Sequence, residues 1–73
     1  MKKIIETKNA PKAIGPYSQA IFINNTLYCS GQIAINPKTG TLVNNSIKNE
    51  TLMVMQNIGE ILSAAKMNYS NIV

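Results

Sequence analysis

Ser46-Ile-Lys-Asn-Glu50-Thr-Leu-Met-Val-Met55-Gln-Asn-Ile-Gly-Glu60-Ile-Leu-Ser-Ala-Ala65-Lys-Met67 is the longest regular pattern in the chain. Val54, Met55, Ile58, Ile61, Leu62 and Ala65 recur at helical spacing and form one apolar stripe. Ser46 can cap the first turn, and Glu50 sits where a negative charge suits the helix dipole. These signals predict a helix from about Ile47 to Met67, with Met53, Met55 and Met67 as core filler. Gly59 weakens it by up to ~1 kcal/mol and is read as a close-packing point against a sheet. Asn68-Tyr69-Ser70-Asn71 ends the helix, and Ile72-Val73 reads as the opening of another buried strand.

Such a helix needs a sheet to cover, and the preceding sequence supplies one. Ser18 to Ile23 and Leu27 to Ser30 are β-prone and flank Asn24-Asn25, whose side chains tolerate the left-handed backbone of a hairpin turn. Lys3 to Thr7 is a further short β-prone piece. Asn9 to Pro16 is a loop punctuated by Pro11, Gly15 and Pro16. Gly31 interrupts the strand pattern, Gln32 to Ile35 resumes it, Asn36-Pro37-Lys38-Thr39-Gly40 is a turn, and Thr41 to Val43 is a brief strand end. The expected class is α+β in β-β-β-α order. An open three-stranded sheet leaves edges that proteins usually cover or close. The pattern therefore reads as the front half of a larger domain.

Composition narrows the chemistry. The 73 residues are 45% apolar and 14% charged, with one Cys, no His and no Trp. A core of this size rarely supplies more than ~3–5 kcal/mol, so a partner or further chain is expected. There is no Arg and no Asp, and the carboxylates are Glu6, Glu50 and Glu60. That excludes a Ser–His–Asp or Cys–His nucleophilic site, a clustered zinc site and a guanidinium clamp built from this chain alone. The net charge of +4 rests on seven Lys, four of them among the first twelve residues. Without interleaved aromatics these read as a solvated surface rather than a nucleic-acid arm. Ile4-Ile5 before Glu6 is too short for a signal-peptide core, and no stretch is long enough to span a bilayer. The expected compartment is cytoplasmic, with the mitochondrion as the alternative.

Two segments hold more special residues than a scaffold needs: Ala10 to Ala20 and Tyr28 to Ile33. Tyr17 could orient a substrate or hold an activated water, or simply be a half-buried ring with its hydroxyl at the surface. Ser30 and Gly31 could offer donors to an anion, although a β-bulge is the plainer reading. Cys29 is expected to be a small buried hydrophobe, since nothing near it in sequence would stabilise a thiolate. Gln19 and Gln32 are read as edge or interface hydrogen-bonders.

Ala13-Ile-Gly-Pro-Tyr17-Ser-Gln-Ala20, Ser30-Gly-Gln-Ile33, Asn36-Pro-Lys-Thr-Gly40 and Asn57-Ile-Gly-Glu-Ile-Leu62 closely resemble the RidA/YjgF/UK114 family, in order and over nearly the whole chain. The resemblance implies a chorismate-mutase-like α+β fold, with residues 1–73 as the N-terminal half of one domain. It implies a homotrimer with ligand clefts between subunits. The implied activity is hydrolysis of 2-iminobutanoate, 2-iminopropanoate and related enamine acids to 2-oxo acids and ammonia, without metal or organic cofactor. By position, Tyr17 would be catalytic and line the cleft, and Tyr17, Ser30 and Gly31 would bind substrate. The family's clamping Arg, its Cys (a different residue from Cys29) and its water-activating Glu are expected beyond Val73. The 73-residue chain alone is therefore expected to be inactive. The alternatives are an endoribonuclease or translation inhibitor acting on single-stranded RNA, and a non-catalytic 2-oxo-acid-binding module.

Overall fold

β-branched residues at Ile4-Ile5 and around Phe22 favour extended backbone, and they pair across the N-terminal loop. The computed structural model describes residues 2–13 and 17–73. The expected loop breakers Gly15 and Pro16 lie outside those residues. Strands β1 (Lys2–Ile5), β2 (Ala20–Ile23) and β3 (Thr26–Cys29) form an antiparallel sheet in the order β1-β2-β3. Asn24 and Asn25 take φ of 50° and 62°, the two left-handed positions of a tight hairpin turn. The register sets Ile5 beside Ala20 and Lys3 beside Phe22, with Phe22 beside Leu27. Cross-strand partners share a face, so Ile5, Ala20, Phe22 and Leu27 project to the same side.

Helix α1 (Ile47–Ala64) covers that side. Ile61, with no exposed surface, packs with Ile5, Ala10 and Ala20, and Phe22, Leu27 and Ala65 close around them. Burying a side chain of this size stabilises by roughly 1.5–3 kcal/mol. Ser46 caps the helix as its sequence position requires, its Oγ accepting from the Asn49 N–H at 3.1 Å. The helix stops three residues short of Met67. Lys66 enters the left-handed region at φ 60°, and the Met67 N–H donates to the Leu62 carbonyl at 2.8 Å while Lys66 N–H donates to Ser63. That is a Schellman closure. A short 3-10 turn, Tyr69–Asn71, follows.

Several expectations need correction. Gln32 to Ile35 does not form a strand; only an isolated bridge joins Ile35 to Leu42. The Ile35 N–H folds back on the Ile33 carbonyl at 2.9 Å, which bends the chain at Ala34 and takes it off the sheet. Cys29 is exposed, because β3 is an edge strand and Cys29 is its last residue. Met55 is exposed rather than core, since the buried stripe runs through Asn57, Ile61 and Leu62. Gly59 is a close-packing point, but against Tyr69 instead of the sheet: a Cβ there would lie 2.9 Å from Tyr69 Cζ. Ile72 and Val73 are exposed and belong to no strand among the described residues; they line the groove beside the edge strand β3 without joining its ladder. Gln19 is buried, not at an edge.

Candidate functional site

Two chain segments converge beside the start of β2. One is the loop through Pro11, Lys12 and Ala13, and the other is the stretch that leaves β3 at Gly31. Together with Tyr17 and Gln19 they enclose a cavity of about 100 Å³, walled on its far side by Gln32, Ile33 and Ile35. A more polar hollow of about 310 Å³ adjoins it, sharing Lys12, Ala13, Tyr17 and Gln19 and adding Glu6. The smaller cavity has the liquid volume of about three water molecules, which suits a ligand of a few heavy atoms.

Gln19 organises the loop side. Its Oε1 accepts from the Thr7 N–H at 2.6 Å, and its Nε2 donates to the carbonyls of Thr7 (3.0 Å) and Pro11 (2.8 Å), with a longer contact to Ala10 at 3.4 Å. A buried amide that engages a loop this fully fixes its course, because each freed backbone group would otherwise be left unpaired. Ser30 ties the other side in. Its N–H donates to the Gln19 carbonyl at 2.9 Å, and its hydroxyl donates to the Ser18 carbonyl at 2.6 Å.

Tyr17 and Gly31 thus meet at one cavity, as the two singled-out segments suggested. Tyr17 is about half exposed. Ser30 lies behind the cavity, bound to the Tyr17 side of the chain, and faces a separate groove instead. Gly31 is no crowded bulge: a Cβ would meet nothing within 4 Å, and its N–H has no partner among the described residues. Gly31 is exposed, and no side chain covers it where a Cβ would stand. Lys12 supplies the cationic group in the cavity lining.

Sequence reasoning missed two residues that shape this site. Gln19 reads in sequence as an edge or interface hydrogen-bonder, not as a buried one. Asn57 carries no role in the sequence reading beyond its place in the Asn57-Ile-Gly motif, although it interrupts the apolar stripe between Val54 and Ile61, which is the signal that could have revealed it. Asn57 is fully buried, and its Nδ2 donates to the carbonyls of Ile33 (3.1 Å) and Ile35 (2.9 Å). Cys29 stands in the separate groove with Leu27, Ile58 and Leu62, and partial burial pushes its thiol above the ordinary value. A neutral thiol there is a poor nucleophile at neutral pH. Among the described residues no group of acidic, Cys or His side chains could hold a metal ion. Among the described residues, too, no helix is long and apolar enough to cross a membrane.

A three-stranded antiparallel meander with one covering helix, and Tyr17 and Gly31 at a shared cavity, defines the class. Residues 7–73 match the Endoribonuclease L-PSP family, and the chain belongs to that family, the RidA/YjgF group. The whole chain is 51% identical to a RutC family protein of Pyrococcus horikoshii and 44% identical to human 2-iminobutanoate/2-iminopropanoate deaminase, covering 58% and 53% of those proteins. A conserved Rid family protein of Yersinia pestis superposes over 100% of this chain and 58% of its own at a TM-score of 0.96 and 56% identity. E. coli TdcF, solved with bound serine, superposes over 97% of this chain and 55% of its own at a TM-score of 0.92 and 35% identity. The chain spans little more than half the length of these relatives.

Proposed function

We propose that this chain forms one wall of the active site of an imine deaminase. The site hydrolyses 2-iminobutanoate, 2-iminopropanoate and similar small 2-imino acids to 2-oxo acids and ammonia. In the reaction water adds to the C=N carbon with one of its protons passing to nitrogen, and the resulting carbinolamine then transfers its hydroxyl proton to nitrogen as the C=O bond forms and the C–N bond breaks to release ammonia. Tyr17 orients the imine or the attacking water, and the Gly31 N–H donates to an oxygen of the substrate carboxylate. Ser30 holds the two segments at this spacing.

The observation that carries the reading is the meeting of Tyr17 with the Gly31 N–H, which has no partner among the described residues, at a cavity sized for a small acid. The names of the relatives agree with it: one is a 2-iminobutanoate/2-iminopropanoate deaminase, and another was solved with serine, a small acid bearing the same α-carboxylate. Turnover also needs a fixed cation for that carboxylate. With no Arg in the sequence and Lys12 on an exposed loop, we assign the cation to polypeptide other than these 73 residues.

The assembly we propose is a homotrimer with clefts at subunit interfaces. The sheet face away from α1 supports it, since Ile4 and Tyr28 are more than half exposed there beside Ile21 and Ile23. A solvent-facing row of large apolar residues fits a subunit contact. RNA cleavage, the activity in the family description, is the less favoured reading because the chain offers neither His nor Arg.

Semicarbazide trapping of the imine released by a threonine dehydratase tests the proposal. The protein joined to the remainder of the domain should lower semicarbazone yield, and the 73 residues alone should not. No effect from the completed protein, together with RNA cleavage in a nuclease-free preparation, would overturn it.

A further inference from the structure

The cavity is held from behind by two buried amides on different elements. Gln19 fixes the loop wall, as described above. We propose that Asn57 is the positioning residue for the opposite wall, fixing Gly31 to Ile35 in the arrangement that binds ligand. The inference rests on reading this cavity as the ligand site, and it adds a residue from α1 that touches no ligand.

The bend at Ala34 creates a need that Asn57 meets. The Ile33 carbonyl already accepts the Ile35 N–H that folds back on it, and the Ile35 carbonyl receives no backbone N–H from the turns and loops among the described residues. Both receive an N–H from the Asn57 side chain. Ile33 and Ile35 line the cavity, whereas Asn57 lies beneath them without exposed surface. A residue chosen only to fill this place in the apolar stripe would be Leu. Asn57 is a poorer filler, since its Oδ1 is buried with no hydrogen-bond partner among the described residues. An amide with one half unsatisfied is justified by its other half, the two donors. Those donors connect α1 to the segment that presents the Gly31 N–H.

NMR on the isotope-labelled protein tests this. In the wild type, the Asn57 side-chain amide protons should be protected from solvent exchange and show through-hydrogen-bond coupling to the Ile33 and Ile35 carbonyls. Asn57→Asp removes the paired donors at similar volume, and Asn57→Leu removes them at the same branched shape. Each should speed exchange of the Asn36 and Val43 N–H groups, which close the adjoining turn, by about tenfold, and weaken 2-oxobutanoate binding at the Gly31 resonance by about tenfold. Exchange in β1, β2 and β3 should stay unchanged. Uniform acceleration over the whole chain would reduce Asn57 to a general stabiliser and overturn the proposal, as would no change at Asn36 and Val43. If neither variant folds, the wild type decides alone: rapidly exchanging Asn57 amide protons refute the inference. Should 2-oxobutanoate move no resonance even in the wild type, the ligand reading fails, while the exchange pattern still judges the positioning role of Asn57.

Discussion

Gly59 faces two opposing effects whose sizes can be set against each other. Replacing it with Ala removes the helix-interior penalty of glycine, a gain of about 0.8–1 kcal/mol. The new Cβ, however, would lie 2.9 Å from Tyr69 Cζ and closer still to its hydroxyl. The ring must swing out, and with it goes the hydrogen bond that the Tyr69 hydroxyl donates to the Met55 carbonyl at 2.6 Å. A net bond of this kind is worth about 0.5–1.5 kcal/mol. The two nearly cancel, so Gly59→Ala alone should change stability by less than about 0.5 kcal/mol. In a Tyr69→Ala background nothing opposes the gain, and the same substitution should stabilise by about 1 kcal/mol, or roughly 4–8 °C in a domain of this size. Urea unfolding of the four proteins, followed by far-UV circular dichroism, gives the coupling directly. Effects that add to within about 0.3 kcal/mol would show that Gly59 and Tyr69 do not meet.

Gln19→Leu should destabilise by about 1–3 kcal/mol by stranding the Thr7 N–H and the Thr7 and Pro11 carbonyls, read as a lower urea midpoint. Lys66→Gly should stabilise by about 0.5–1 kcal/mol, because Lys66 holds the left-handed φ of 60° at the helix end where glycine is free of the Cβ clash; differential scanning calorimetry reads the shift. Partial burial of the otherwise exposed Cys29 raises its thiol, so the folded chain keeps its proton more tightly than the unfolded chain. The stability this contributes is full below the ordinary thiol value and is lost as pH rises through the raised folded value. Iodoacetamide should therefore alkylate Cys29 more slowly in the native than in the urea-unfolded chain at about pH 8.5; equal rates would contradict the burial effect.

The hairpin and the helix were legible because their causes are local. Asn24-Asn25 carries its own left-handed preference, Ser46 caps the helix three residues from the N–H it binds, and the stripe through Ile61 repeats with the helical period. The Tyr17 loop and the Ser30-Gly31 segment also stood out, since Pro, Gly and polar residues cluster there. Their meeting at one cavity was an expectation from resemblance. The hydrogen bonds from Ser30 to Ser18 and Gln19 make it a geometric fact.

The sequence by itself determined the order of elements, the family, and the chemistry these residues are unable to perform alone, because propensity, capping and composition act at short range or need no geometry. Only the tertiary structure decided that Gln32 to Ile35 leaves the sheet, that Cys29 is exposed, and that Gln19 and Asn57 are interior. The burial of Gln19 and Asn57 depends on which distant backbone groups need partners, the exposure of Cys29 on strand order, and the course of Gln32 to Ile35 on a fold-back braced by Asn57 from α1; all three are set by the packed fold and absent from any local stretch of residues.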